Sequence, residues 1–526
     1  MKLWRGAAAT LVVATALSGC AIVDSFSGRV IDYNLQAEQA QEQQLLLNIV
    51  RASLRRPMQF TGLQSITGQA TESGNAAFTF PFGESMHRPK GSVSPDIFGF
   101  GGTISGGPQF IVPVLDTQEF YDGILSPIQL QVFDYYLQQG FPREVLFALF
   151  VSKIVVTQGR EKPDLVFTNA VADDVAFEQF EAVVDTLLAG GLSTEHVETT
   201  SNFGPAIPER NLQPSAADGQ QAAALLGAYA NLATAGLKLS EDPQQKTYRL
   251  QKTSVSYRFC FTDEGAAARG ILSNISPSLY CNRSGAKEGV AAAAAPTSAA
   301  SCAETRATPA ANAAVAASEE GTPDSGGNAT LCLSLNPEAV RVLNERLQHI
   351  AAAGAETRQG FATLSAQQLI SQASAFQLQV RSTEGILYYL GEITRRHLYP
   401  ESTGEGRSRI IQIPTRVPLA TLPARACDDT ENAGKLTRVS ELVRLSPGPG
   451  TANSYFCENL FVVDESLIGN GFTSVSYDGH TYSLPNDPQR AGRTYQVLEL
   501  AKQLLAINTS AKAFPATSVL SIITPQ

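Results

Sequence analysis

Cysteine and histidine are the side chains that most directly offer chemistry, and this sequence holds seven of the first and five of the second. Cys20 closes an apolar N-terminal run, and six more follow at Cys260, Cys281, Cys302, Cys332, Cys427 and Cys457. An even set of thiols in an oxidising compartment points to disulfides. Zinc would need ligands at short paired spacings. No CxxC occurs, and His87, His196, His349, His397 and His480 are scattered, so neither a metal nor a cofactor is expected. Cys427 and Cys457 stand apart from the other four and are the expected pair. For the rest, Cys260 and Cys332 both sit in strand-like alternation, which favours a nested order with Cys281–Cys302 inside Cys260–Cys332. Sequential pairing is the close alternative.

Catalytic templates fail one by one. There is no GxSxG nucleophile turn and no HExxH zinc motif. Gly99-Phe100-Gly101-Gly102 lacks the strand–glycine–helix context and the Gly-Lys-Ser/Thr of a phosphate loop. Asp428-Asp429-Thr430-Glu431-Asn432 lacks EF-hand spacing and reads as a solvated turn. His480 beside Asp478 reads as a hairpin-tip residue. Arg55-Arg56 and Arg395-Arg396 end helices, where cations suit the dipole. An enzymatic role is not expected.

The 526 residues carry a formal charge of −10 and are 43% hydrophobic. That composition is globular, and its acidity argues against a nucleic-acid partner, whose phosphates demand a basic footprint. The N-terminus has Lys2 and Arg5, then an apolar run over 6–17, then Leu17-Ser18-Gly19-Cys20. This is the layout of a secretory signal peptide, too short to cross a bilayer as a permanent helix. The four-residue motif resembles the lipobox of bacterial lipoproteins. The resemblance implies cleavage before Cys20, thioether lipidation of that cysteine and acylation of the new amino terminus. Ala21 at the next position implies transfer to the outer membrane in the Gram-negative lipoproteins that this motif resembles. The overall pattern, from 36–60 through 381–391 to the last hairpin, helix and strand, is similar to uncharacterised envelope lipoproteins of Gram-negative bacteria.

The elements around these residues can be read from periodicity. Residues 32–56 predict a helix, glutamine-rich at first, whose second half shares Leu46, Ile49 and Val50 on one face until Pro57 stops it. Residues 60–82 alternate weakly as one or two strands, and 83–107 read as a glycine-rich loop. Ser126-Pro127 predicts an N-cap with proline at the first helical position. A second helix from Pro142 carries Val145, Leu146, Leu149, Phe150 and Ile154. A strand over 165–167, a helix capped at Asp173 or Asp174 and a strand over 192–197 follow, then an alanine-rich helix over 217–235.

Residues 286–330 contain 17 alanines and no aromatic, leucine or isoleucine, which predicts a disordered insertion. Beyond it, Asn336-Pro337-Glu338 opens a helix, Ser365 caps a short one, and a strand over 375–380 precedes a helix over 383–397. Residues 410–414 and 460–463 read as strands. Asp478-Gly479 between alternating arms predicts a type I′ hairpin, followed by a helix over 493–505 and a strand over 518–523, together a ββαβ unit.

These readings give an α+β fold with amphipathic helices on small mixed or antiparallel sheets. The expected divisions are a signal peptide over 1–19, an anchor and helix over 20–60, and α+β domains over 61–253 and 254–526. The expected role is a lipid-anchored outer-membrane or periplasmic component of a cell-envelope assembly. It would touch the membrane through Cys20 and bind an envelope protein. The alternative is a periplasmic protein that binds or processes a glycan or peptide.

Overall fold

The computed structural model describes residues 26–62, 65–71, 75–79, 97–101, 105–111, 114–158, 162–208, 237–242, 247–262, 270–273, 279–281, 328–357, 369–400, 408–417, 454–466, 473–508 and 521–522. The fold is α+β, with helices beside small antiparallel sheets. The chain opens with helix α1 (Phe26–Ser53). Four strands follow: β1 (Ser65–Thr71), β2 (Asn75–Thr79), β3 (Ile97–Gly101) and β4 (Ser105–Ile111). Strands β3 and β4 fall where a glycine-rich loop is expected, and the physical reason is pairing. Each glycine here lies opposite a residue of β1 or β2, so the ladder outweighs glycine's low strand preference.

Helices α2 (Gln118–Leu125), α3 (Leu130–Gln138) and α4 (Arg143–Phe150) come next. The expected cap at Ser126-Pro127 does not form. Pro127 instead bridges Ser382 in extended backbone, and the helix begins three residues later with Gln129 as N-cap. The expected helix through Ile154 also breaks. At Val151 the chain switches without a loop into β5 (Val151–Thr157), which pairs with β6 (Leu165–Thr168). The β-branched run of Val151, Ile154, Val155, Val156 and Thr157 suits a strand paired on both sides. Helix α5 (Asp174–Ala189) starts as expected, with the Asp173 carboxylate accepting from the backbone N–H of Val175 and Ala176.

Two long strands, β7 (Leu192–Pro208) and β9 (Thr247–Phe261), form a ribbon completed by β8 (Leu237–Asp242). The expected domain boundary at 253/254 would cut through β9. Strand β10 (Asn328–Ser334) begins inside the stretch expected to be disordered, because residues 328–330 pair with Gln379, Leu378 and Gln377. Helix α6 (Pro337–Thr357) has the expected cap, the Asn336 amide oxygen accepting from Glu338 N–H at 3.0 Å. Strand β11 (Ala373–Val380) and helix α7 (Thr383–Leu398), capped by Ser382, also match.

Next come β12 (Gln412–Val417), β13 (Ser454–Asn459) and β14 (Asp464–Ser466). Residues 460–463 are not a strand. They are a fully buried connection, with Val462 N–H donating to the Thr494 hydroxyl instead of to a ladder. The predicted hairpin is present as β15 (Ser474–Tyr477) and β16 (His480–Ser483), turning through Asp478 and Gly479 at φ of 53° and 83°. Helices α8 (Pro488–Ala491) and α9 (Thr494–Asn508) precede β17 (Ser521–Ile522). The last hairpin, helix and strand do not make one ββαβ sheet, since β17 pairs with β4. The expected elements at 217–235 and Ser365, and the insertion over 286–327, lie outside the described residues.

The chain forms two units. The first comprises Met1–Gly123, Asp464–Asn486 and Leu498–Gln526, and the second Ile124–Val463 with Asp487–Val497. In the first unit the core gathers the second half of α1, where Leu45, Leu46, Ile49 and Val50 are buried, with Phe60 packed on Phe120 at 5.3 Å between ring centres. Asn48 is buried among them and latched both ways to Gln59, donating to its carbonyl at 2.8 Å and accepting from its N–H at 3.0 Å. In the second unit the sheet runs β10-β11-β5-β6, all antiparallel. One face buries Phe376, Leu378, Ile154, Val156, Leu165 and Phe167, while Gln377, Gln379 and Val155 alternate onto the other. Phe133, Phe147, Phe150 and Phe259 form an aromatic cluster joining α3, α4 and β9, edge-to-face except for the tilted Phe147–Phe259 contact.

Candidate functional site

The abrupt passage from α4 into β5 leaves helix carbonyls with no intrahelical donor. Two buried side chains answer them. Arg381 Nη1 donates to the carbonyls of Ala148, Leu149 and Val151, and its Nη2 to that of Asn169. The Asn169 amide donates to Ala148 and Val151. Arg381 also lies over the Tyr389 ring at 3.9 Å, a cation–π contact in a desolvated setting. Burial away from a carboxylate lowers its pKa to about 10, the Tyr389 oxygen opposing that shift. With its donors spent on main chain, this guanidinium holds structure and is not presented to a ligand.

Beside the junction, α5 carries Asp174, Glu178, Glu181 and Asp185 at helical spacing, one acidic stripe. Arginines from three other elements meet it. Arg396 Nη2 reaches Asp174 at 2.7 Å, and Arg409 Nη1 reaches Asp174 and Glu178 at 3.0 and 3.1 Å. Arg346 Nη1 reaches Asp185 at 3.3 Å. Desolvation works to lower the Arg409 pKa, but Glu178, Glu181 and Asp174 together outweigh it and hold it above the usual arginine value. The stripe is legible in the sequence as Asp174-x3-Glu178-x2-Glu181-x3-Asp185, a pattern the apolar periodicity of the same helix hides.

A cavity of about 20 Å³ lies between Glu144, Asn169, Glu181, Asp185 and Tyr389, with Phe177 and Phe180 as its apolar wall. Asn169 Oδ1 is buried and accepts no hydrogen bond within the protein. A space of that volume with a waiting acceptor suits one water molecule, and it is far too small for a sugar or peptide.

The sequence-predicted residues fare differently. Cys20, Cys302 and Cys427, and the acidic run at 428–432, lie outside the described residues. Cys260 bonds to Cys281, so the nested pairing of Cys260 with Cys332 is corrected to the sequential one. The reason is placement. Phe261 bridges Tyr280, which brings Cys281 beside the end of β9, whereas Cys332 sits in the other sheet opposite Ala375. Cys332 and Cys457 are themselves disulfide-bonded. Glu195 comes within metal-ligand reach of Cys260 and Cys281, but the two sulfurs are bound to each other and the carboxylate holds Arg258 at 2.7 Å. His480 pairs with Glu465 of β14, the strand beside the hairpin, and Arg396 is buried against α5 instead of serving only its own helix end.

Compared with protein families, curated proteins and solved structures, the chain finds no match. No described helix is long and apolar enough to cross a membrane.

Proposed function

We propose that the protein is a lipid-anchored component of a bacterial cell-envelope assembly, tethered to the outer membrane through Cys20 and acting by interaction instead of catalysis. The observation that carries this reading is the two-part character of α1. Its second half is built into the first unit, as described above. In its first half Ile31 is 60% exposed and Leu35 57%. One turn apart, these residues extend the same face that Ile49 buries further along. A helix with one end embedded and apolar residues left bare at the other, beginning six residues after the candidate lipidation site, suits a tether that also contacts a partner. Glu42 accepts from Thr473 at 2.7 Å and Arg51 lies over Tyr477 at 5.7 Å, so the docked half is held by polar contacts as well.

Mass spectrometry of the N-terminal peptide from isolated membranes tests the anchor. The expected peptide begins at Cys20 and carries acyl chains, whereas an unmodified Cys20 or a mature terminus elsewhere overturns the reading. The interaction half is tested by Ile31→Asp with Leu35→Asp. This pair should release an envelope partner from the solubilised complex while changing stability by less than about 0.5 kcal/mol.

A further inference from the structure

Glu195 and the Cys260–Cys281 pair carry an inference beyond the function proposed above. Among the described residues they are the one group of three or more cysteine, histidine and carboxylate side chains whose ligand atoms all lie within 4.8 Å of one another. Cys260 stands near the end of β9 and Glu195 on β7. The ladder sets Ser193 opposite Cys260 and Glu195 opposite Arg258. Side chains alternate along a strand, so Cys260, Arg258 and Glu195 share one face. Cys281 reaches that face from outside the strands. A parallel bridge joins Phe261 to Tyr280, and Cys281 N–H donates to the Phe261 carbonyl at 3.0 Å.

These contacts are distinct from the S–S bond, and they remain to hold the two sulfurs near each other once it opens. The Cα atoms of the pair are 5.1 Å apart. A guanidinium holds the acid in place. Arg258 Nε and Nη2 donate to Glu195 Oε1 at 3.0 and 2.7 Å, and Nη2 also donates to the Tyr280 carbonyl at 3.3 Å. One side chain thereby ties the carboxylate to the segment that delivers Cys281. Cys260 is fully buried, whereas Cys281 is half-buried. Cys281 is therefore the sulfur that an external thiol can attack and the one with room to swing.

Two thiolates and a carboxylate are a zinc ligand set, three protein ligands that leave a fourth position for water. Tetrahedral zinc at ~2.3 Å from each sulfur sets the sulfurs about 3.8 Å apart, a separation that rotation of the Cys281 side chain supplies. The charges also balance. Two thiolates and one carboxylate exceed a divalent ion by a single negative charge, which Arg258 offsets. In the oxidised form Arg258 and Glu195 offset each other. The site is neutral in both states, as its burial requires: the Glu195 side chain is 13% exposed and that of Arg258 24%. We infer that reduction of the Cys260–Cys281 bond by a dithiol creates a zinc site made of Cys260, Cys281 and Glu195. The dithiol supplies two electrons and two protons and leaves as a disulfide. Zinc then displaces the two thiol protons.

The test uses the full chain in detergent, reduced with a dithiol, freed of it under nitrogen and titrated with cobalt(II) as a spectroscopic stand-in for zinc. The reduced protein should develop a near-ultraviolet thiolate charge-transfer band and the visible bands of a four-coordinate ion. Zinc should abolish both, and the oxidised protein should show neither. Cys281→Ser should lose the band. Glu195→Gln keeps both sulfurs and should weaken zinc binding by at least roughly 10-fold, the loss that even an outer-shell partner causes. Zinc should also restore the hydrogen-exchange protection at 257–261 that reduction removes, which separates a metal site from a chain that has merely unfolded. A reduced protein without the band, or one whose 257–261 segment zinc leaves unprotected, overturns the inference. So does a Cys281→Ser protein with the full band, or a Glu195→Gln protein that binds zinc as tightly as the parent.

Discussion

The molecule contains two sets of antiparallel strands of opposite chemistry. The first, β1 to β4, is mostly glycine, alanine, threonine, phenylalanine and isoleucine, with Gln69, Asn75 and Gln109 among its polar residues and no charged one. The second, β7 to β9, carries Glu195, Glu198, Lys238, Glu241, Arg249, Lys252 and Arg258 among its strands. Its Glu195 and Arg258 face each other across the ladder, with Arg258 Nε and Nη2 donating to one carboxylate oxygen at 3.0 and 2.7 Å. Burial along the second ribbon falls from its root, where Leu192, Phe259, Cys260 and Phe261 are enclosed, to Val255, which is 51% exposed. Backbone geometry is thus shared, and composition decides which surroundings each set can tolerate. Water suits the charged one, which is stabilised through its root and its cross-strand pairs. The uncharged one has no residues for such pairs within its strands.

The sharpest way to break this contrast is to attack the root of the charged ribbon. Phe259 packs edge-on against Phe133 at 5.7 Å and at a tilt of 42° against Phe147 at 5.8 Å. Phe259→Ala should cost about 3–5 kcal/mol, read as a lowered midpoint of denaturant unfolding. An unchanged midpoint would mean that the ribbon stands without its aromatic root. Next in size is the disulfide at the same end. Cys260→Ala with Cys281→Ala opens a loop of sequence separation 21 and should cost about 3 kcal/mol. Hydrogen exchange should rise first at 257–261, and uniform acceleration across the unit would refute a local role. The smallest effect is expected at Val255→Lys, within about 0.5 kcal/mol, because the position is already half in water and its neighbours are polar. A loss of several times that size would show Val255 to be covered, and the contrast between the two sets would weaken.

Much of the local structure was legible because it rests on short-range chemistry. Asp173 and Asn336 cap helices as their types predict, and Asp478-Gly479 supplies the positive φ that a tight hairpin needs. What stayed hidden depends on partners distant in sequence. Ile154 sits at helical spacing from Phe150, yet its strand state is decided by Leu378 and Phe167 on either side. Pro127 looked like a helix start until Ser382 bridged it. Gly99 and Gly107 read as loop residues because glycine lowers strand preference in general, and only the register of β1 and β2 reverses that. At the candidate site, the acidic stripe of α5 was available from spacing alone. The arginines that meet it come from Arg346, Arg396 and Arg409, which no local pattern connects to residue 174 or 185.

The guanidinium that plugs the α4–β5 junction also bears on the order in which this protein can be made. Arg381 lies 233, 232 and 230 residues beyond the carbonyls of Ala148, Leu149 and Val151. A nascent chain stopped at residue 380 would hold every backbone group of that junction and its Asn169 donor, but lack the guanidinium that also answers the Leu149 carbonyl. Closing a loop of that length carries an entropy cost of about 5 kcal/mol, which local structure cannot repay before Arg381 emerges. The first unit waits longer still, since Asp464–Asn486 and Leu498–Gln526 belong to it. Both units are therefore completed late in synthesis, and the chain stays open to chaperones for most of its length. A C-terminal truncation should accordingly disrupt both units, not only the last one synthesised.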